Sequence, residues 1–149
     1  MNKRRLLVTA MALAAITASA RAGEPEIFTG LLPGIAVGGY DPVAYFKDGA
    51  PREGSAAFMT EWQGVMWRFS SAENLAAFKQ NPQSFAPQYG GYCAFAVAKG
   101  ATAKGEPLAW TIAGGKLYLN YSKAVRSTWR QDIPGNIAKA DGNWPGVLK

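Results

Sequence analysis

"EPLAWTIAGGKLYLNYS", residues 106–122, alternates apolar and polar side chains around a Gly-Gly pair. Period-two patterning broken by two glycines is the signature of a β-hairpin with a two-residue turn. With Gly114-Gly115 as the turn, Ile112 opposes Leu117, Trp110 opposes Leu119 and Leu108 opposes Tyr121. These six residues form one apolar face, and Ala109, Thr111, Tyr118 and Asn120 take the other. Tyr121 is therefore expected in the core and Tyr118 at the surface or lining a pocket.

"AAFMTEWQGVMWRFS", residues 56–70, follows the same plan with a Gln63-Gly64 turn. Trp62 then opposes Val65, Thr60 opposes Trp67 and Phe58 opposes Phe69, while Met59, Glu61, Met66 and Arg68 share the opposite face. Helix signals follow each hairpin. Ser70-Ser71-Ala72-Glu73 reads as a capping box for a helix carrying Leu75, Ala76 and Phe78, stopped at Asn81-Pro82. Ser122 caps a second helix with Val125, Trp129 and Ile133 spaced by four. Pro134 interrupts it, and a short helix over 137–140 follows. Asp41-Pro42 within "GGYDPVAYF" (38–46) is an N-cap followed by proline in the first turn, so capping accounts for Asp41 better than catalysis does. Residues 92–98 are small and apolar and fit helix or strand equally. The fold expected is one small α+β domain: antiparallel hairpins at about 58–69 and 108–121 packed with short helices at about 71–80 and 122–133. No internal repeat and no low-complexity linker is visible in the sequence.

The N-terminus reads as an export address. Lys3, Arg4 and Arg5 precede an apolar stretch, Leu6 to Ala18, too short to span a bilayer, and small-x-small sites place cleavage before Arg21 or Gly23. Arg4-Arg5 is compatible with either of two export routes. The expected organisation is a signal peptide over 1–22 and a domain over 23–149, periplasmic or secreted, with no membrane span once the signal is removed. Four of the 16 basic residues and none of the 10 acidic ones lie in that signal, so the net charge of +6 falls to +2. The remaining basic residues are scattered, which excludes a nucleic-acid interface.

The chain has no histidine and one cysteine, Cys93. Ser-His-Asp and Cys-His nucleophilic systems, histidine metal sites and a four-ligand structural zinc site are thereby excluded. A single cysteine in an oxidising compartment has no internal partner. Cys93 fits three roles: a soft-metal ligand, a nucleophile, or a small buried apolar residue. As a ligand it would be joined by Met59 or Met66, the two methionines outside the signal, in a low-coordinate copper(I) site. Gly90-Gly91 permits positive φ or a close backbone approach, and Tyr89, Tyr92 and Tyr118 are candidates to line a shallow binding pocket.

Taken together, "GYDPVAYF" (39–46), "WRFSSAENLAAFKQNPQSF" (67–85), "PQYGGYCA" (87–94), "GKLYLNY" (115–121) and "NWP" (143–145) resemble the YHS domain family, particularly its stand-alone exported members. The resemblance covers nearly all of residues 23–149 and implies a small metal-associated module. Phe69, Ser71, Phe78, Asn81, Pro82 and Phe85 stand in step with the family's motif. Ser70 and Asn74 stand where it would have two cysteines, and the histidine of the family's name is missing, so the thiolate metal site does not carry over.

Two functions follow as expectations. One is an exported, non-enzymatic YHS-like binding domain that handles a soft metal such as copper. The other is a metal-free module that contacts a small molecule or a periplasmic protein partner, with Cys93 buried in the core. An enzyme using Cys93 as nucleophile ranks below both, because no histidine is present to activate the thiol.

Overall fold

The computed structural model describes residues 23–149. The signal-peptide reading falls on residues 1–22, outside the described residues. The chain forms a small α+β domain with two antiparallel hairpins. In order, α1 is Ala44–Lys47, β1 Ser55–Trp62, β2 Val65–Phe69, α2 Ala72–Gln80 and α3 Pro82–Phe85. Then come α4 Ala94–Ala98, β3 Glu106–Ala113, β4 Lys116–Asn120, α5 Lys123–Trp129 and α6 Ile133–Asn143. Among the described residues no helix is long and apolar enough to cross a membrane.

Both expected turns form. Trp62 pairs with Val65 and Thr60 with Trp67, and Ile112 pairs with Leu117 and Trp110 with Leu119. The outer pairs differ. A bulge makes Ser55, not Phe58, the partner of Phe69, and a second bulge pairs Glu106 with Asn120. β4 thus ends before Tyr121, which is 48% exposed, and Leu108 is 42% exposed. Tyr121, expected in the core, is thus at the surface, whereas Tyr118 is only 3% exposed and borders a hollow with Ile133 and Ile137.

The reason is that β4 is buried on both faces. Leu117 and Leu119 enter a core with Val43, Tyr45, Trp67, Phe69 and Phe78. Tyr118 enters a second core with Tyr89, Tyr92, Val97, Trp129 and Ala140. Alternation marks one face as apolar, but an aromatic residue on the other face can be covered by later helices, here α5 and α6.

The helix caps also differ in detail. Ser71, not Ser70, accepts the Asn74 N–H at 3.1 Å as the α2 N-cap. Ser122 caps α5 as expected, accepting from Val125 N. Pro134 stands in the first turn of α6, where a missing N–H costs nothing. It therefore opens a helix longer than the 137–140 segment expected, and Asp132 caps that helix through the Gly135 N–H.

The structure also contains a repeat that the sequence conceals. Adding 51 to the β1–β2 pairs Ser55/Phe69, Met59/Arg68 and Trp62/Val65 yields Glu106/Asn120, Trp110/Leu119 and Ala113/Lys116, so register and bulge both recur. Before each hairpin lies a turn with positive φ at three successive residues, Val37-Gly38-Gly39 and Tyr89-Gly90-Gly91. Each turn is closed by an N–H···O bond of 3.0 Å, from Tyr40 to Val37 and from Tyr92 to Tyr89. The next residue, Asp41 or Cys93, donates its N–H to Arg52 O or Ala103 O. Its side chain accepts the N–H of the residue after the hairpin, Ser70 to Asp41 Oδ2 at 2.8 Å and Tyr121 to Cys93 Sγ at 3.2 Å. A Ser-capped helix then buries one aromatic residue completely, Phe78 in α2 and Trp129 in α5. Asp41 and Cys93 occupy one position of a repeated unit.

Asp41 is fully buried and accepts five hydrogen bonds. Oδ1 takes the N–H groups of Val43 and Ala44, which begin α1, and Oδ2 takes Ser70 N, Ser70 Oγ and Asn74 Nδ2. Removing the acceptor leaves several buried donors unpaired, at about 1–3 kcal/mol each where water cannot replace it. Asp41→Ala is expected to lower unfolding stability by about 3–5 kcal/mol, and Asp41→Asn by less. Urea unfolding checks this; a wild-type midpoint for Asp41→Ala would deny the node its structural role.

Candidate functional site

The segment joining the two repeats builds the most distinctive surface. The left-handed turn at Tyr89-Gly90 directs the Tyr89 ring inward, and the N-terminal segment crosses directly over Gly90, with Phe28 N–H donating to Gly90 O at 2.9 Å. A Cβ on Gly90 would collide with the Glu26 carbonyl oxygen, so only glycine fits. Tyr89, Tyr92 and Tyr118 are brought together as the sequence suggested, but as a buried cluster. Tyr89 lies 5.9 Å from Tyr118 and 6.0 Å from Trp144 between ring centroids, and Tyr92 lies 6.1 Å from Trp144. Two of the hydroxyls are anchored: Tyr89 donates to Asp141 Oδ1 at 2.9 Å and Tyr92 to Pro25 O at 2.6 Å.

Tyr89 and Trp144 form one wall of an open groove of about 460 Å³. Aromatic rings of Trp62, Tyr89 and Trp144 line it, with the amides of Gln63, Gln83 and Gln88 and the charges of Glu26 and Lys116. Trp62 and Gln63 come from the turn of the first hairpin, Lys116 from the turn of the second, and Gln88 to Gly90 from the connection between repeats. The groove is thus a product of how the repeats meet. Its volume falls in the range of small-molecule sites, and its mixture of aromatic walls with a few polar groups is that of a binding site. Of its residues the sequence reading named Tyr89 alone as a candidate. Trp144 and Lys116 carried a signal, being in "NWP" and "GKLYLNY"; Trp62 and Glu26 carried none, since their convergence is tertiary.

Cys93 lies elsewhere. It precedes α4, is 1% exposed, and its sulfur accepts the Tyr121 N–H and donates to Asn120 Oδ1 at 3.5 Å. Phe95 N–H shares that oxygen at 3.1 Å, while Asn120 Nδ2 is buried without a partner among the described residues. Met59 and Met66 share one face of the first hairpin with Glu61 and Arg68, as the register implied. They belong to the first repeat and Cys93 to the second, where the polar partners of its sulfur are Asn120 and Tyr121. Among the described residues no group of three or more Cys, Asp or Glu side chains is placed to hold a metal ion. Ser70 and Asn74, at the two positions where the resemblance would put cysteines, both bond to Asp41 Oδ2. The chain matches no family model, and neither curated proteins nor solved structures provide a match.

Burial shifts all three tyrosines of the cluster upward. The Tyr92 phenol is pushed up to about 12, by desolvation first and then by the charge of Glu24. Tyr89 lies well above the phenolic range through desolvation, its bond to Asp141 and that residue's charge, and Tyr118 is raised by desolvation and by Asp141. A raised phenol pKa favours the neutral form in the folded protein. Stability from this source is complete below pH 10, the unfolded value, and is lost as pH rises through the folded values. Denaturation midpoints are expected to hold below pH 10 and fall steadily between pH 10 and 12, with phenolate absorbance appearing late; a titration of all tyrosines near pH 10 without unfolding would contradict the cluster. Cys93 is expected to resist a thiol reagent in the native protein and to react with one equivalent in urea; rapid native labelling would show the sulfur to be accessible.

Proposed function

We propose that the chain is an exported, non-enzymatic, YHS-like binding module that takes a small polar molecule, not a metal, into the groove between its repeats. The observation that carries this reading is the groove itself: three aromatic residues and three glutamines converge on it from four separate segments. Aromatic walls offer large contact area at low entropic cost, and amides fix orientation through hydrogen bonds. The buried sulfur supports the metal-free alternative. Its neighbours are a backbone N–H and an amide oxygen, so a copper(I) ion at Cys93 would have to displace both and open the core. The resemblance points the same way, because the positions expected to be thiolates are Ser70 and Asn74 and are already engaged.

A screen of small polar solutes, read by the indole N–H resonances of Trp62 and Trp144, tests the reading. A binding solute is expected to shift both signals saturably, and Trp62→Leu to weaken binding about tenfold with the fold retained. Stoichiometric copper(I) binding lost in Cys93→Ser, with the groove silent to every solute, would replace this function with metal handling.

A further inference from the structure

The groove carries one charge of each sign, Glu26 and Lys116. The Glu26 carbonyl lies against Gly90, next to the wall formed by Tyr89 and Trp144. Lys116 enters from the turn of the second hairpin and borders two adjoining hollows, one of about 410 Å³ with Asn81, Gln83, Ser84 and Gln88 and one of about 530 Å³ with Tyr118 and Asp141. The Asp141 carboxylate is engaged by the Tyr89 hydroxyl. Neither Glu26 nor Lys116 forms an ion pair among the described residues. A carboxylate beside the negative faces of aromatic rings favours a cation. An ammonium beside neutral amides and a hydroxyl favours an anion.

We propose that the ligand class is a small zwitterion, an ammonium-type cation joined to a carboxylate through a short linker; this rests on the groove being the binding site. The cationic end lies against Trp144 and Tyr89 near Glu26. The carboxylate reaches Lys116, with Gln83 and Gln88 as further donors. A neutral solute leaves both protein charges without a partner, and a singly charged one leaves one of them so. The groove is open to water, which screens each charge and makes each contribution modest.

The test uses the purified protein at low salt, with glycine betaine as zwitterion, choline as cation, acetate as anion and glucose as neutral control, followed through the Trp62 and Trp144 indole resonances. Glycine betaine is expected to bind more tightly than choline or acetate. Lys116→Gln should weaken glycine betaine about threefold and leave choline unchanged, whereas Glu26→Gln should weaken both about threefold. Both side chains are exposed, so neither change threatens the fold. Saturable glucose binding with glycine betaine silent would overturn the zwitterion and leave the groove's binding function standing. Equal binding of glycine betaine by wild type and Lys116→Gln would overturn the anionic subsite. Silence to all four solutes would overturn the zwitterion, and silence across the wider solute screen the binding site as well.

Discussion

The buried carboxyl group of Asp41 is the constraint on which the first repeat is assembled. A fully desolvated acceptor is tolerable only when donors saturate it, and here the donors come from three places. Val43 and Ala44 supply the start of α1, Ser70 the exit of β2, and Asn74 the first turn of α2. The bonds cannot all form unless helix, hairpin and helix stand in one arrangement. Satisfying one group thus specifies the relative placement of three elements. The same arrangement brings Trp67, Phe69 and Phe78 into contact, with ring centroids of Trp67 and Phe69 each 5.0 Å from Phe78.

The second repeat solves the same problem with weaker chemistry. Cys93 takes the place of Asp41, and its sulfur accepts one hydrogen bond instead of five. Val125 stands where Asn74 would be, so no side-chain amide reaches back. Asn120, at the end of β4, compensates by accepting from both Cys93 and Phe95. A thiol is a poor acceptor but a good small hydrophobe, and this half relies more on packing: Tyr118, Trp129, Tyr89 and Trp144 stack around it. The lone cysteine of the chain is thus explained by its position in the repeated unit.

A central strand buried on both faces ties the halves together. Leu117 and Leu119 complete the first core and Tyr118 the second. Because the repeats meet along this hairpin and the segment before Cys93, the turns of both hairpins come to border the same groove. Residues distant in sequence, Glu26, Trp62, Lys116 and Trp144, become neighbours there. Local patterns around Trp62, Lys116 and Trp144 mark turns and a motif but not a shared surface, and this is why sequence reading did not assemble them into a site while it picked out Tyr89, which sits in a glycine-rich turn.

Local rules carried much of the fold. Gln63-Gly64 and Gly114-Gly115 determined two hairpins and their inner registers, Ser122 one helix start and the Ser70-Ser71 pair another to within one residue, and alternation one buried face of each hairpin. These signals act over a few residues, where turn geometry and capping dominate. Local rules could not place the bulges that move Phe58, Leu108 and Tyr121 out of register, because a bulge is selected by what packs against the strand. Nor could they reveal a repeat whose halves share hydrogen-bond positions but few side chains: Asp41 and Cys93, Phe78 and Trp129 are equivalent by geometry alone. The sequence by itself determined an α+β chain of two hairpins and Ser-capped helices with one cysteine and no histidine. Only the tertiary structure decided that β4 is covered on both faces, that the Cys93 sulfur is enclosed, and that a groove opens between the repeats. Those outcomes depend on which surfaces exclude water together, a property of contacts far apart along the chain.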